Sequence, residues 1–384
     1  MKKLFHRALA LSLILTLIIS LVGCTKPKPK AEIDYAIDDG RIKNVILIIG
    51  DGMGEAQLDA GELMYGKEFA FRDELTKFYS ETNSISLTDG KATEVTDSSA
   101  SATALATGIL TYNKFAGKNT KGEDLETILD IASASGKSTG FVTTDSLTGA
   151  TPAGFTAHTL NRNLENEIIK SQIKSGVDLL IGQYNELYNN YKSPIANSYN
   201  YFTAYDEDGI LASKKVGALC NVEIETDAEG AIELRDAAEL AIEYLSSDRD
   251  GFVLVIEQAH IDKNCHNKNF EGAAKSANSL NDTVEAVMNF AKDRNDTAVI
   301  ITADHETCGL EVSKSSDTYK SKATIKTGSE ISYSFTSTYH TDTPVPVYTY
   351  GFTPVPQLCP TFESAERIKN SEVFLIVRDL VLYS

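Results

Sequence analysis

The stretch "VTDSSASATALATG", residues 95–108, sets Ser98, Ser99 and Ser101 behind Asp97 and surrounds them with small residues. It reads as the start of a helix, with Asp97 or Ser98 near the N-cap, where a side-chain oxygen satisfies a free backbone N–H. A helix N-terminus also carries partial positive charge and suits an anionic group such as phosphate. Capping accounts for one serine and leaves the rest of the cluster unexplained. Carboxylates and imidazoles gather elsewhere in the chain. "EQAHIDKNCH" sets Asp262 and His266 four apart, on one face if the segment is helical. "ADH" joins Asp304 to His305, "TYHTDTPVP" carries His340, and two further apolar runs end at Asp51 and Glu257. Carboxylate with imidazole, and no thiolate, is a donor set for Zn²⁺ in an open catalytic site. A lone histidine is ordinarily a packing or surface residue. That explanation fails to cover three of six histidines standing beside carboxylates.

These groups need elements to bring them together. "NVILIIGDG", "STGFVTTDS", "GFVLVIEQ" and "TAVIITADH" are β-branched runs that each lead into polar residues, at Asp51, towards Thr151, at Glu257, and at Asp304 and His305. In "PVPVYTYG" the order is reversed, because His340 precedes the run. Apolar runs of this length suit strands buried on both faces of a parallel sheet. Helical periodicity lies between them: Leu125, Ile128, Leu129 and Ala132 follow an i, i+3, i+4, i+7 pattern that Gly136 stops. The alternation predicts a three-layer, doubly wound α/β fold, with a mostly parallel central sheet and helices on both faces. Ligands in such folds sit beyond the carboxyl ends of the strands, where four of the five polar clusters fall. Residues 184–208, rich in Tyr, Asn and Ser, read as an insertion or long loop forming a partly buried surface flap; the alternative is that its tyrosines line a substrate surface.

The chain has 384 residues and a formal net charge of -18. That charge argues against nucleic acid as a partner, since a phosphate backbone needs a basic footprint. It leaves open a small phosphate substrate, because bound cations invert the local field. "MKKLFHR" followed by "ALALSLILTLIISLV" reads as a signal segment. Its end, "LVGC", resembles the lipobox of bacterial lipoproteins. That resemblance implies a signal peptide over 1–23 and lipidation at Cys24 with a linker over 24–40, ahead of a folded domain over 41–384; an ordinary signal peptide with a chance cysteine is the alternative. The expected location is extracytoplasmic, at the membrane through the lipid anchor. Cys220, Cys265, Cys308 and Cys359 match no zinc-knuckle spacing and read mostly as packing residues; any pairing among them stays open.

Six motifs in order, "VILIIGDGMG", "VTDSSASATALATG", "ATPAGFTAHTLNR", "IEQAHIDKNCH", "VIITADHE" and "HTDTPVPVYTYG", resemble those of alkaline phosphatases over about Asn44 to Gly351. The resemblance implies hydrolysis of phosphate monoesters with Ser98 as the nucleophile that becomes phosphoserine. It implies two zinc ions, one held by Asp51, Asp304 and His305, the other by Asp262, His266 and His340. A magnesium ion would be held by Glu257, Thr151 and a bridging Asp51. Arg162 matches the phosphate-binding arginine, Lys263 a variable position near the phosphate, and Asp97 the residue before the nucleophile. Family members are commonly dimers, so a homodimer is an open expectation, as is a broad role in phosphate scavenging. One departure is Gly149, where familiar members carry Asp or His near the magnesium site, which puts the third metal in doubt. His260 stands where small residues are usual and is expected to point away from the metals. A phosphodiesterase or another hydrolase of the same superfamily is the alternative. Sulfatases of this fold need a C/S-x-P-x-R motif that the Ser98 segment lacks, and nucleotide phosphodiesterases usually present threonine. A non-enzymatic phosphate-binding lipoprotein would have no use for both zinc triads and Ser98.

Overall fold

The run Asn44–Gly50 (β1) is buried at every position and lies in the middle of a ten-stranded sheet. Its β-branched side chains are stiff at χ1 and fit a pleated surface covered on both sides. The other strands of the sheet are Thr76–Glu81 (β2), Ser138–Ser146 (β3), Leu179–Gln183 (β4), Asn200–Phe202 (β5), Ala218–Val222 (β6), Phe252–Gln258 (β7), Thr297–Thr302 (β8), Val345–Tyr350 (β9) and Arg367–Lys369 (β10). Their order across the sheet is β10-β2-β9-β8-β1-β7-β3-β4-β6-β5. This computed structural model describes residues 42–214, 216–314, 321–324, 330–352 and 367–382. The signal-like segment, Cys24, the linker and Cys359 lie outside the described residues. Among the described residues no helix is long and apolar enough to cross a membrane.

Alternation along β1 splits the core into two layers. Ile46 and Ile48 pack on one face with Leu240 of the Leu234–Leu245 helix and Leu280 and Val284 of the Phe270–Ala291 helix. Val45, Leu47 and Ile49 pack on the other with Leu105 of the Ser98–Thr107 helix and Val377 of the Asn370–Leu382 helix. This is the three-layer α/β architecture expected. β8, β1, β7, β3, β4, β6 and β5 run parallel to one another, whereas β9 runs against both β8 and β2. The reversal explains the one run that did not end in polar residues. An antiparallel strand begins where its neighbours end, so the segment before β9 brings His340 to the same edge as Asp51, Glu257 and Asp304.

Two local expectations are corrected. Leu125 lies outside the helix it was expected to join. Thr127 caps that helix, accepting from Asp130 N at 3.2 Å, and the Asp130 carboxylate accepts from Thr127 N at 2.8 Å. This reciprocal box starts the helix at Ile128. Gly136, just past its end, takes φ +82°, the left-handed conformation that glycine adopts at low cost. The tyrosine-rich segment is not a flap. It supplies β5 to the sheet edge, and Tyr188 and Tyr199 are buried in the core. Their hydroxyls find buried partners, Gln172 Oε1 at 2.6 Å and Gln172 O at 3.2 Å, which lets an amphipathic ring sit inside.

Candidate active site

The Ser98–Thr107 helix is buried along its whole length. Alanines allow this: a Cβ on Gly154 of the neighbouring Ala150–Thr156 helix would come within 2.7 Å of Ala102 Cβ. Asp97 is the N-cap, its Oδ1 accepting from Ala100 N at 2.9 Å and its Oδ2 from Lys114 N at 2.9 Å. The three serines diverge. Ser99 Oγ donates to Phe115 O at 2.8 Å and Ser101 Oγ to Asp304 O at 2.7 Å, both structural contacts. Ser98 Oγ faces the strand edge, 3.2 Å from His305 Nε2. Arg162 Nη1 lies 3.6 Å from Asp97 Oδ2, which holds the guanidinium beside the same helix start.

Four carboxylates and three imidazoles meet at the carboxyl edge of the sheet. Gly52 N and His305 N both donate to Asp304 Oδ1, at 3.0 and 2.9 Å. The remaining oxygen, Oδ2, stands 3.1 Å from His305 Nε2, and Asp51 Oδ1 stands 3.7 Å from it. Asp262 Oδ1 is 3.3 Å from His266 Nε2 and 3.5 Å from His340 Nε2, and those two nitrogens are 3.1 Å apart. Each Nδ1 is engaged outside the cluster or at its rim: His340 with Thr96 O at 2.8 Å, His266 with Thr338 O at 3.2 Å, His305 with Thr307 Oγ1 at 3.2 Å. An imidazole tied at Nδ1 presents Nε2 inward. Two triads bring donor atoms within 4.8 Å of one another, Asp51 with Asp304 and His305, and Asp262 with His305 and His340. His305 is thus common to both, a sharing that its motif did not disclose, and its ring stacks on His340 with centroids 3.5 Å apart.

The electrostatics ask for a cation. Asp51 Oδ1 is buried without a hydrogen-bond partner, and such an atom costs free energy unless something satisfies it. Burial, then the charges of Asp304, Asp262 and Glu257, push the Asp51 carboxyl well above its usual range. Burial and the neighbouring Asp145 carry Glu257 up to about 7. Burial also opposes ionisation of Asp262, but the His266 hydrogen bond, with His305 and His340, holds its carboxyl well below the usual range. Oxygen and imidazole donors with no thiolate among them fit Zn²⁺, and the oxygens of Glu257, Thr151 and Asp51 fit Mg²⁺.

The expected residues therefore converge, with two qualifications. Lys263 Nζ is bonded to Asp145 Oδ1 at 2.5 Å. His260 faces Glu225, Nδ1 3.9 Å from Oε2, in keeping with its expected orientation away from the metals. Cys265 and Cys308 are free, buried and packed with Ala273. Two residues that shape the site were not foreseen. Thr307 donates to Asp262 Oδ1 at 2.5 Å while bonding His305, and no local pattern marks it. Asp145 had a signal, a carboxylate at the end of a parallel strand.

At its carboxyl edge the doubly wound sheet gathers a helix-start serine, an arginine and clustered carboxylates and imidazoles, groups suited to hydrolytic chemistry. A family model, alkaline phosphatase, matches residues 42–185 and 217–371. The chain belongs to the alkaline phosphatase family. It is 30% identical over 295 residues to alkaline phosphatase 4 of Bacillus subtilis (strain 168), covering 72% of this chain and 64% of that one, so it spans just under two thirds of that relative. Alkaline phosphatase 3 of the same organism is 29% identical over 330 residues, 81% of this chain and 71% of the relative. The structure of alkaline phosphatase from the Antarctic bacterium TAB5 superimposes with a TM-score of 0.75 at 29% identity, covering 89% of this chain and 98% of that one. A mutant of the TAB5 enzyme with Mg bound in its M3 site gives 0.73 at 28% identity, with the same coverage.

Gly52 offers a test of how tightly the site is built. Its φ is +76°, and a Cβ there would meet Thr307 Oγ1 at 2.7 Å and Asp262 Cα and Cβ at 2.8 Å. Gly52→Ala should lower phosphatase kcat/KM by about 100-fold, since small displacements of reacting groups cost that much. It should also destabilise the fold by about 1–3 kcal/mol through backbone strain and overpacking. Steady-state kinetics and thermal melts of the variant check both.

Proposed function

We propose that this protein hydrolyses phosphate monoesters through a phosphoserine at Ser98, using two zinc ions and one magnesium ion. The observation that carries this reading is Ser98 Oγ, at the start of a buried helix and 3.2 Å from His305 Nε2, the nitrogen that also stands beside Asp304 and Asp51. Asp51, Asp304 and His305 would hold one zinc, Asp262, His266 and His340 the other, and Glu257, Thr151 and Asp51 the magnesium. When bound, the cations supply Lewis acidity, stabilise the serine alkoxide and neutralise charge on the transferring group. Ser98 Oγ gives up its proton and attacks phosphorus, the phosphorus–oxygen bond to the leaving group breaks, and the leaving oxygen takes up a proton and departs as the alcohol. The Arg162 fork grips two non-bridging oxygens, held in place by Asp97, and the helix start adds partial positive charge. Water then attacks the phosphoserine from the vacated side, releasing inorganic phosphate and restoring the hydroxyl.

The monoester preference rests on Arg162, which can pair the additional negative charge of a monoester. Lys263 would act near the phosphate only when released from Asp145. A lipid anchor at Cys24, an extracytoplasmic location, a homodimer and a scavenging role belong to the same reading, supported by the signal-like first residues and by the family. The test is hydrolysis of p-nitrophenyl phosphate and of bis-p-nitrophenyl phosphate by the purified protein, before and after chelation, with metal content measured. We expect monoesterase activity that dominates, is lost on chelation by about a thousandfold or more, and returns with zinc and magnesium. A diester preference, or indifference to chelation, would overturn the proposal.

A further inference from the structure

Gly149 has no side chain, and the space beside it is taken. A Cβ on Gly149 would lie 2.5 Å from Asp145 Oδ2 and 2.9 Å from Asp145 Cγ. Asp145 reaches that place from the end of β3, and several contacts hold it there. Its Oδ1 accepts from Ser146 N at 2.8 Å and from Lys263 Nζ at 2.5 Å. Its own N–H donates to Thr143 Oγ1 at 2.8 Å, and that hydroxyl donates to Glu257 Oε2 at 2.5 Å. Asp145 and Arg162 line one cleft. The Lys263 charge, on a flexible four-carbon stem next to Asp262, is therefore committed to a carboxylate that shares a cleft with Arg162.

We propose that Asp145 is a positioning residue that tethers Lys263 away from the phosphate held by Ser98 and Arg162, and that the bare Cα of Gly149 is what admits the Asp145 carboxylate. The inference rests on the phosphatase reading, because it concerns Lys263 and the phosphate of that site. The Lys263 and Asp145 side chains are 45% and 26% exposed, so the tether is a partly screened ion pair that a phosphate dianion can compete with. Asp145 and Gly149 then form a unit: a carboxylate can stand on the strand end or on the helix start, and the two positions exclude each other.

The test is direct calorimetric binding of inorganic phosphate to the metal-loaded full chain, with melting temperature recorded for each variant. Asp145→Asn keeps the shape and removes the charge. It should tighten phosphate binding by about three- to fivefold, the scale of one partly exposed ion pair. The gain should vanish in Asp145→Asn/Lys263→Met. Lys263→Met alone should change the dissociation constant less than about twofold, because a tethered lysine contributes little. Asp145→Ala/Gly149→Asp, which moves the carboxylate to the other position, should return close to wild type. Gly149→Asp alone, pressing one carboxylate against the other, should melt lower. An unchanged dissociation constant in folded Asp145→Asn, or a gain that survives Lys263→Met, would overturn the tether. Should Asp145→Asn fail to fold, a large loss of affinity in Lys263→Met would overturn it alone. A wild-type protein that binds no phosphate would instead overturn the phosphatase reading and the tether with it.

Discussion

Replacing Ser98 with alanine should lower the turnover of a phosphate monoester by about 10⁴-fold or more, as loss of a covalent nucleophile does in other hydrolases. The melting temperature should barely move. Among the described residues, Ser98 Oγ hydrogen-bonds to His305 Nε2, and that nitrogen has Asp304 and Asp51 beside it. The neighbouring serines supply the contrast. Ser101→Ala removes a bond to Asp304 O and the partner of Asn370 Nδ2, so it should cost about 1 kcal/mol of stability with far less effect on turnover. Ser99→Ala removes the bond to Phe115 O and should act in the same way. Acid-quenched reactions with labelled substrate should show phosphoserine in the wild type and in both structural variants, and none in Ser98→Ala. Label retained by Ser98→Ala at wild-type level would move the nucleophile to another residue.

How far this site could be read from the chain depended on distance along it. The strands were legible because β1, β7 and β8 are unbroken apolar runs buried on both faces, and a doubly wound sheet places whatever follows such a run at one edge. Asp97 was legible as a cap because its role is local. The pairing of Asp262 with His340 was not, because it spans distant segments and depends on β9 running opposite to its neighbours, a topological fact with no local signature. The motif resemblance bridged that gap. The residues without a motif escaped: Thr307, which reaches Asp262 from the short strand Glu306–Thr307 that pairs with His340–Thr341, and Asp145, whose partner Lys263 lies on another element. Tyr188 and Tyr199 misled for the opposite reason. Their composition resembles a solvated loop, and only tertiary structure supplies Gln172 to satisfy their hydroxyls.

The charge arrangement at Asp51 leads to a prediction whose sign depends on metal. Asp51→Asn should abolish monoesterase activity, by about a thousandfold or more, and weaken retention of zinc. Yet in chelator it should raise the melting temperature by roughly 2–8 °C, the scale expected for a few kcal/mol in a domain of this size. In the chain alone, Asp51 is buried beside Asp304, Asp262 and Glu257, with Oδ1 unpartnered. Its carboxyl is therefore harder to ionise in the folded state than in the unfolded one. For such a group the stabilising contribution is complete below the unfolded pKa and is lost as pH rises through the folded value. At mildly alkaline pH the metal-free fold carries that cost, and asparagine removes it. With zinc and magnesium present the order should reverse, because the same crowding that destabilises the empty cluster is what binds the ions, and ligand binding stabilises the folded state by mass action. Differential scanning calorimetry of both proteins, in chelator and in saturating metal, measures all four melting points. If chelated Asp51→Asn melts below chelated wild type, the carboxylate is already compensated by contacts within the chain, and the cluster would have no electrostatic need for a cation at that position.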